Sequence, residues 1–212
     1  MPWDVEGTKR RLLDAATAEF SERGLAGARV DRTAAAAGVN KERIYEYFGS
    51  KDELFGAVLS EQLALVMDAV PIEGDGIEAV ADYAGRVFDY DCRHPEFARL
   101  TFWEGLERRE PVVRAFRAER SASKIHRLQE AVPQLGDEDA QELLLTILTL
   151  CAAFQALPNV DRLYAGSAKR NAKGLARRRA AIVTTADATV RAMLAGRAGS
   201  SSPRTEAEET VA

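Results

Sequence analysis

The stretch Asn40–Lys51 carries Lys41, Glu42, Arg43, Tyr45, Tyr47 and Lys51 in close succession. Ammonium, guanidinium, carboxylate and phenol groups so placed make directional hydrogen bonds with phosphate oxygens and base edges. A guanidinium fork fits the paired acceptors of guanine, and a carboxylate accepts from the cytosine amine. Covalent chemistry is a poorer match. No Ser/His/Asp or Cys/His set and no glycine-rich phosphate loop occurs at workable spacing, so the chain is expected to be no enzyme and to need no cofactor. His94 and His126 sit in no recognisable ligand set, so no metal site is expected, and His94, ahead of Pro95, is read as a helix cap. Cys92 and Cys151 are too few for a disulfide scaffold; they read as small buried hydrophobes in a reducing compartment.

To present Lys41–Tyr47 outward, the chain must build two short helices joined by a sharp turn. Ala34 is small enough for the helices to press together, Gly38 tolerates the positive φ of the turn, and Val39, Ile44 and Tyr47 or Phe48 are spaced to hold the second helix down. Asn40 is expected to cap that helix, leaving its first-turn side chains free to enter a groove. Thr33 is smaller than ideal packing wants. A preceding helix over about Thr8–Arg23 buries Leu12, Leu13, Ala16 and Phe20 and ends at Gly24. After Gly49, the sequence Ser50-Lys51-Asp52-Glu53 predicts a capping box opening a long helix that carries Leu54, Phe55, Val58, Leu59, Leu63, Val66 and Met67 inward as far as Pro71.

The rest also reads at helical period. Helices are expected from Asp75 to about His94, at 95–107, 111–131 and 137–156, and from Lys173 to Leu194. An irregular connection over Pro158–Asn171 and a disordered tail from Gly196 complete the chain. The fold class is all-α. An N-terminal three-helix helix-turn-helix domain (1–49) precedes a helical effector-binding and dimerisation bundle (50–195) and the tail (196–212).

At 46% hydrophobic and 29% charged, the composition is globular rather than disordered. No apolar run reaches the roughly 18 residues of a bilayer span, so no membrane partner is expected and the location is read as cytoplasmic. The formal net charge of −4 advertises no nucleic-acid partner, so binding must rest on locally placed cations. Of the 29 basic residues 23 are Arg, but they are spread along the whole chain, which fits a GC-rich coding bias. Lys9-Arg10-Arg11 reads as a solvated first turn or a DNA arm, and Arg177-Arg178-Arg179 as a solvated face, a dimer rim or a contact to DNA.

The run from Thr8 to about Leu59 resembles the N-terminal DNA-binding domain of the tetracycline-repressor (TetR) family of bacterial regulators. The resemblance is carried by AATAEFSERG (Ala15–Gly24), AAAAGVNKERIYEYFGSK (Ala34–Lys51) and DELF (Asp52–Phe55). Thr33 departs from the aliphatic residue usual there, and Glu42 and Arg43 stand where the family often has small or hydroxylic residues. Those departures concern which operator is read.

Carried over by position, the resemblance implies that Lys41, Glu42 and Arg43 approach base edges. Tyr45 and Tyr47 would touch phosphate or sugar, Lys51 and the helix it opens would hold a phosphate, and Arg29, Arg32, Thr33 and Asn40 would complete the DNA-binding set. It also implies a double-stranded DNA operator, palindromic because two copies bind it, and a repressor that a small, largely apolar effector releases. An adaptor or activator of the same fold, without effector-controlled repression, is the alternative.

Aromatic residues at helical spacing read first as core. Taken together they suggest an effector pocket of Met67, Tyr83, Phe88, Phe102, Trp103, Phe116 and Phe154, with Glu104, Arg86 or Arg99 as polar anchors. The 137–156 helix is apolar around much of its circumference and needs cover on two sides. Leu144, Ile147, Leu148 and Cys151, with Ile182 and Ala186 of the last helix, are therefore expected to form a four-helix dimer interface.

Overall fold

A computed structural model describes residues 4–165 and 171–200, and every regular element among them is a helix. The first four are α1 (Val5–Gly27), α2 (Val30–Ala37), α3 (Glu42–Phe48) and α4 (Lys51–Ala69). Asp4 starts α1 earlier than expected because its carboxylate accepts the Gly7 N–H at 2.8 Å, an N-cap bond. Gly24, at φ 69° and ψ 178°, breaks the helical run where the sequence places its end, and a last short turn continues to Gly27. Ser50 caps α4 by accepting the Glu53 N–H at 3.1 Å, while its own N–H donates to the Phe48 carbonyl at 3.0 Å.

These four helices close on one core. Leu12, Ala16 and Phe20 of α1 meet Ala34 and Ala37 of α2, Ile44 of α3, and Leu54, Phe55, Val58 and Leu59 of α4. Phe20 and Phe55 meet edge to face, ring centres 5.1 Å apart. The packing unit therefore runs past the boundary expected at residue 49. The first half of α4 belongs to it because its inward residues face α1.

The remaining helices are α5 (Gly76–Arg93), α6 (Pro95–Glu107), α7 (Arg114–Ala131), α8 (Asp137–Ala156), α9 (Pro158–Ala165) and α10 (Ala172–Ser200). Helix α7 begins at Arg114 rather than at the expected 111, and two others differ more. The stretch read as irregular contains α9, whose first turn is closed by the Leu157 carbonyl accepting from Val160 at 3.1 Å, with proline at its first position. The last helix runs through 196–200, where a tail was expected, and Arg197 bonds Asp139 at the start of α8 at 2.5 Å. Residues 201–212, the rest of that expected tail, lie outside the described residues.

A second core joins α5, α8 and α10, with Val80, Tyr83, Ala84 and Phe88 against Leu143, Ile147, Cys151 and Phe154, and with Ile182, Ala186 and Val190. Helix α6 links the two cores: its Leu100 lies in the first, and it satisfies the end of α1. The kink at Gly24 leaves the Ser21 carbonyl to outside partners. Arg99 Nε and Trp103 Nε1 donate to it at 2.8 and 3.2 Å, and Glu107 accepts from the Ala26 N–H at 3.0 Å. Buried Glu104 takes the Val112 N–H at 2.8 Å and pairs with Arg117 at 2.6 Å, which fixes the turn into α7 with Val113 at φ 45°.

Gly24 and Gly38 both have positive φ, but a Cβ at Gly38 would meet nothing within 4 Å, whereas one at Gly24 would lie 2.8 Å from a ring carbon of Trp103. Gly38→Ala is thus expected to cost about 1–2 kcal/mol, the conformational term alone. Gly24→Ala is expected to cost about 3 kcal/mol or more, because the indole must move as well. Urea unfolding of the two variants checks the order.

Candidate nucleic-acid interface

The turn between α2 and α3 is made by Gly38 at φ 68° and ψ 35°, the left-handed region, with Val39 N–H donating to the Ala34 carbonyl at 3.0 Å. Ala34 is buried at this crossing and Ile44 is fully buried beneath α3. The remaining face of α3 turns outward, with Lys41, Glu42, Tyr45 and Glu46 exposed and Arg43 and Tyr47 half-buried.

Asn40 does not cap α3 with its side chain. Its carbonyl accepts the Arg43 N–H at 3.1 Å and the Lys41 carbonyl accepts that of Ile44 at 3.0 Å, so a tight turn at Lys41 feeds the helix instead. Thr33 is also corrected. It is buried, and its hydroxyl donates to the Arg29 carbonyl at 3.3 Å, so it packs the motif and cannot reach a duplex.

The cations of this face are held by carboxylates of the same chain. Arg43 pairs with Glu46 at 2.5 Å and Lys41 with Asp31 at 3.5 Å. The Tyr47 ring lies between the Lys9 ammonium, 5.9 Å from its centre, and the Arg43 guanidinium at 6.0 Å. Arg32 is drawn back onto Glu19, with Nε at 2.8 Å, and onto the Gly27 carbonyl at 2.9 Å, so it ties α2 to α1. Burial would raise the Glu19 carboxyl, but hydrogen bonds from Arg32 and the Arg29 N–H hold it below its ordinary value.

Of the opening basic run, Arg10 bonds Glu61 at 2.7 Å and Arg11 bonds the Thr8 hydroxyl at 3.1 Å. Arg29 and Tyr45 are exposed, and Lys51 stands half-buried as the first residue of α4. Sequence reasoning missed Glu46, Asp31 and Glu19. The Arg43–Glu46 spacing of i, i+3 was a usable signal. The other two pairings cross between helices and have no local signature.

The residues expected to line an effector pocket separate. Tyr83, Phe88 and Phe154 share the second core, with Phe88 and Phe154 ring centres 5.3 Å apart. Trp103 lies elsewhere, against Ser21 and Gly24 of α1. Met67, Phe102 and Phe116 are half-buried on α4, α6 and α7, and the Arg120 guanidinium lies 5.4 Å from the Phe116 ring centre. The suggested polar anchors are engaged: Glu104 with Arg117, Arg99 with Ser21, and Arg86 with Asp82 at 2.6 Å and the Pro71 carbonyl at 2.7 Å.

The expected dimer face needs a similar correction. Leu144, Ile147, Cys151, Ile182 and Ala186 are buried within the protomer because they face α5 and one another, and of the six only Leu148 is exposed. Arg178 and Arg179 are not a solvated run either. They reach the Leu150 carbonyl at 3.3 Å and Asp89 at 2.8 Å. His94 caps the α5–α6 junction with its ring 4.6 Å from that of Tyr90, and no group of three potential metal ligands occurs among the described residues.

A buried glycine-turned helix pair, an outward second helix bearing cations and phenols, and a separate helical core define a helix-turn-helix DNA-binding regulator. Comparison with known proteins agrees. Residues 12–58 match the family described as bacterial regulatory proteins, tetR family, and residues 79–187 match the tetracyclin repressor-like C-terminal domain. The HTH-type transcriptional repressor SCO4008 of Streptomyces coelicolor is 36% identical over 81% of this chain and 91% of its own. The structure of transcriptional regulator SCO4942 from the same species superposes with a TM-score of 0.68 at 29% identity, over 85% of this chain and 97% of that one. FadR of Bacillus subtilis, solved with stearoyl-CoA, shares the fold with a TM-score of 0.61 at 16% identity, over 89% and 98%. The chain belongs to the TetR family; it is a DNA-binding transcriptional repressor and not an enzyme.

Glu46 both neutralises Arg43 and adds an anion beside the groove. Glu46→Gln is therefore expected to tighten binding to a random-sequence duplex several-fold at low salt, read by fluorescence anisotropy. A second test concerns Asp91, whose carboxyl burial pushes up to about 7. An acid whose folded value lies above its unfolded one binds its proton more tightly when folded, so its contribution to stability falls as pH rises from about 4 to 7. Asp91→Asn is expected to raise the melting temperature at pH 8.5, to raise it by less at pH 5.5, and to leave it nearly unchanged only near pH 4.

Proposed function

We propose that the chain acts as a cytoplasmic homodimer that represses transcription from a palindromic operator and is released by a small, largely apolar effector. The observation that carries the DNA half is the outward face of α3, seated by fully buried Ile44 with its leading residues in solvent. In this reading Lys41, Glu42 and Arg43 approach base edges, and Arg43 leaves Glu46 to grip guanine. Asn40, Tyr45 and Tyr47 touch phosphate or sugar, Lys51 and the start of α4 hold a further phosphate, and Arg29 and Arg32 lie toward the backbone. Two copies presenting α3 to successive major grooves place half-sites on the order of 34–36 Å apart, or a multiple of that.

The dimer reading is supported by apolar surface that a single protomer leaves uncovered. Leu145 and Leu148 on α8 are 59% and 44% exposed, and Leu163 and Tyr164 on α9, bent 87° from α8, are 79% and 90% exposed. The effector reading is supported by the aromatic content of the second core and by the stearoyl-CoA held by this fold in FadR. No single described helix is long and apolar enough to cross a membrane. A repressor works where the DNA is.

DNA selected by the purified protein tests this function. Arg43→Ala is expected to cost about 1–3 kcal/mol at one base position and to relax preference there. Lys51→Ala should weaken all duplexes alike and lower the salt slope by about 1. Leu145→Glu with Leu148→Glu should yield monomers by light scattering and cut operator affinity at least tenfold. A selected site without two-fold symmetry would refute the dimeric mode.

A further inference from the structure

Lys9, Arg10 and Arg11 stand in the second turn of α1, each about 100° further round the helix than the last. Their surroundings differ accordingly. Arg11 bonds the Thr8 hydroxyl at 3.1 Å. Arg10 is turned to α4 and to its own helix, with Glu61 at 2.7 Å and Asp14 at 3.0 Å. Lys9 is the one whose contacts among the described residues reach α3. Its ammonium lies 5.9 Å from the Tyr47 ring centre, and the Arg43 guanidinium lies 6.0 Å from the same centre.

This flank of α1 is fixed by packing. Leu13, one turn after Lys9, lies against the first core, as do Tyr47 and Phe48 at the end of α3. Lys9 itself is half-buried, so its stem has given up part of its freedom already, and ordering its ammonium on an anion costs less than for a surface lysine. The carboxylate that holds it is Glu6, at 3.4 Å and almost wholly in solvent. An exposed pair of this kind is weak, and a phosphate can displace it. The shape of a duplex supplies that phosphate. A major groove is about 12 Å wide, and a helix with its side chains is about 10–12 Å across, so a helix in the groove fills it from wall to wall. With Arg43 inside the groove, a cation flanking α3 beyond the Tyr47 ring meets the phosphates of the wall.

We infer that Lys9 is a further DNA-binding residue, which holds a backbone phosphate at the groove wall beside α1, and that Tyr47 is the positioning residue that sets its ammonium there. This rests on the reading above that α3 enters the major groove, and it singles out one of three consecutive cations. An ammonium is a point charge without the fork that reads a base, so the contact adds affinity for every sequence alike.

Fluorescence anisotropy of the full-length protein on the selected duplex and on a scrambled one, over a series of salt concentrations, tests the inference. Lys9→Met keeps the stem and removes the charge. It is expected to weaken both duplexes about threefold or more, by the same factor, and to flatten the salt slope by about 0.9 for each protomer bound. Lys9→Arg should restore both, while Arg10→Met and Arg11→Met should leave the slope as it is. Tyr47→Leu takes away the ring that sets the ammonium, so Lys9→Met should cost less in that background, and an undiminished cost there would overturn the positioning role. A lysine that merely braces α1 on α3 would lower the melting temperature on substitution and leave the slope unchanged, which would overturn the phosphate contact. So would an equal loss of slope in the Arg10 or Arg11 variant, or a loss confined to the selected duplex. Should the Met variant not fold, Lys9→Gln reads the same slope. If the parent binds neither duplex at low salt, the DNA reading itself falls; if it binds and the Lys9 variants keep its slope, only the Lys9 contact falls.

Discussion

The geometry of the DNA-facing end depends on the burial of Ile44 over the Phe20–Phe55 contact. A seven-residue helix such as α3 has no stability of its own in water, so its direction is set by what its inner face presses on. Ile44 is fully buried, and Phe20, Leu54 and Phe55 beneath it are closed to solvent as well. Each such side chain contributes about 1.5–3 kcal/mol when removed from water, enough for the core to dictate the angle of α3. Gly38 turns the chain so that α3 lands on this core, and Ala34 keeps α2 close enough for it to do so.

The same core reaches into the C-terminal helices. Leu100 of α6 is one of its members, and Arg99, Trp103 and Glu107 of α6 bind the end of α1 that the Gly24 kink leaves open. Arg108 and Asp52 add an ion pair between the end of α6 and the first turn of α4. Helix α6 is thus tied to α1 and to α4, on which α3 packs, through short polar contacts and one indole ring. The electrostatics of the outer face act in the opposite sense to a simple cationic patch. Glu46 and Asp31 hold Arg43 and Lys41 in an acidic protein, so a duplex must displace carboxylates before it meets those cations.

Much of this was legible in the residue order. Helical period, the glycine turn and the Ser50 cap depend on neighbours within a turn or two, and such signals survive in a linear string. The α6 and α8 boundaries agree with expectation for the same reason, with Pro95 opening one and the acidic run Asp137–Asp139 opening the other. The misreadings share a cause too. Thr33 joined the DNA-binding set through the family resemblance and Asn40 looked like a cap from its local spacing; burial decided the first and a tight turn at Lys41 the second.

Which face of an evenly apolar helix turns inward is not a local property. Leu144, Ile147 and Cys151 lie on the same helix as Leu145 and Leu148, and composition cannot rank them as core or surface; packing against α5 does. By itself, the sequence determined an all-helical chain with a helix-turn-helix near its start and the side chains that α3 carries. Only the tertiary structure decided that Trp103 braces α1 and that Glu46 and Asp31 hold the cations of that face. Those facts depend on distances between helices far apart in the chain, and such distances are set by the packing of the whole.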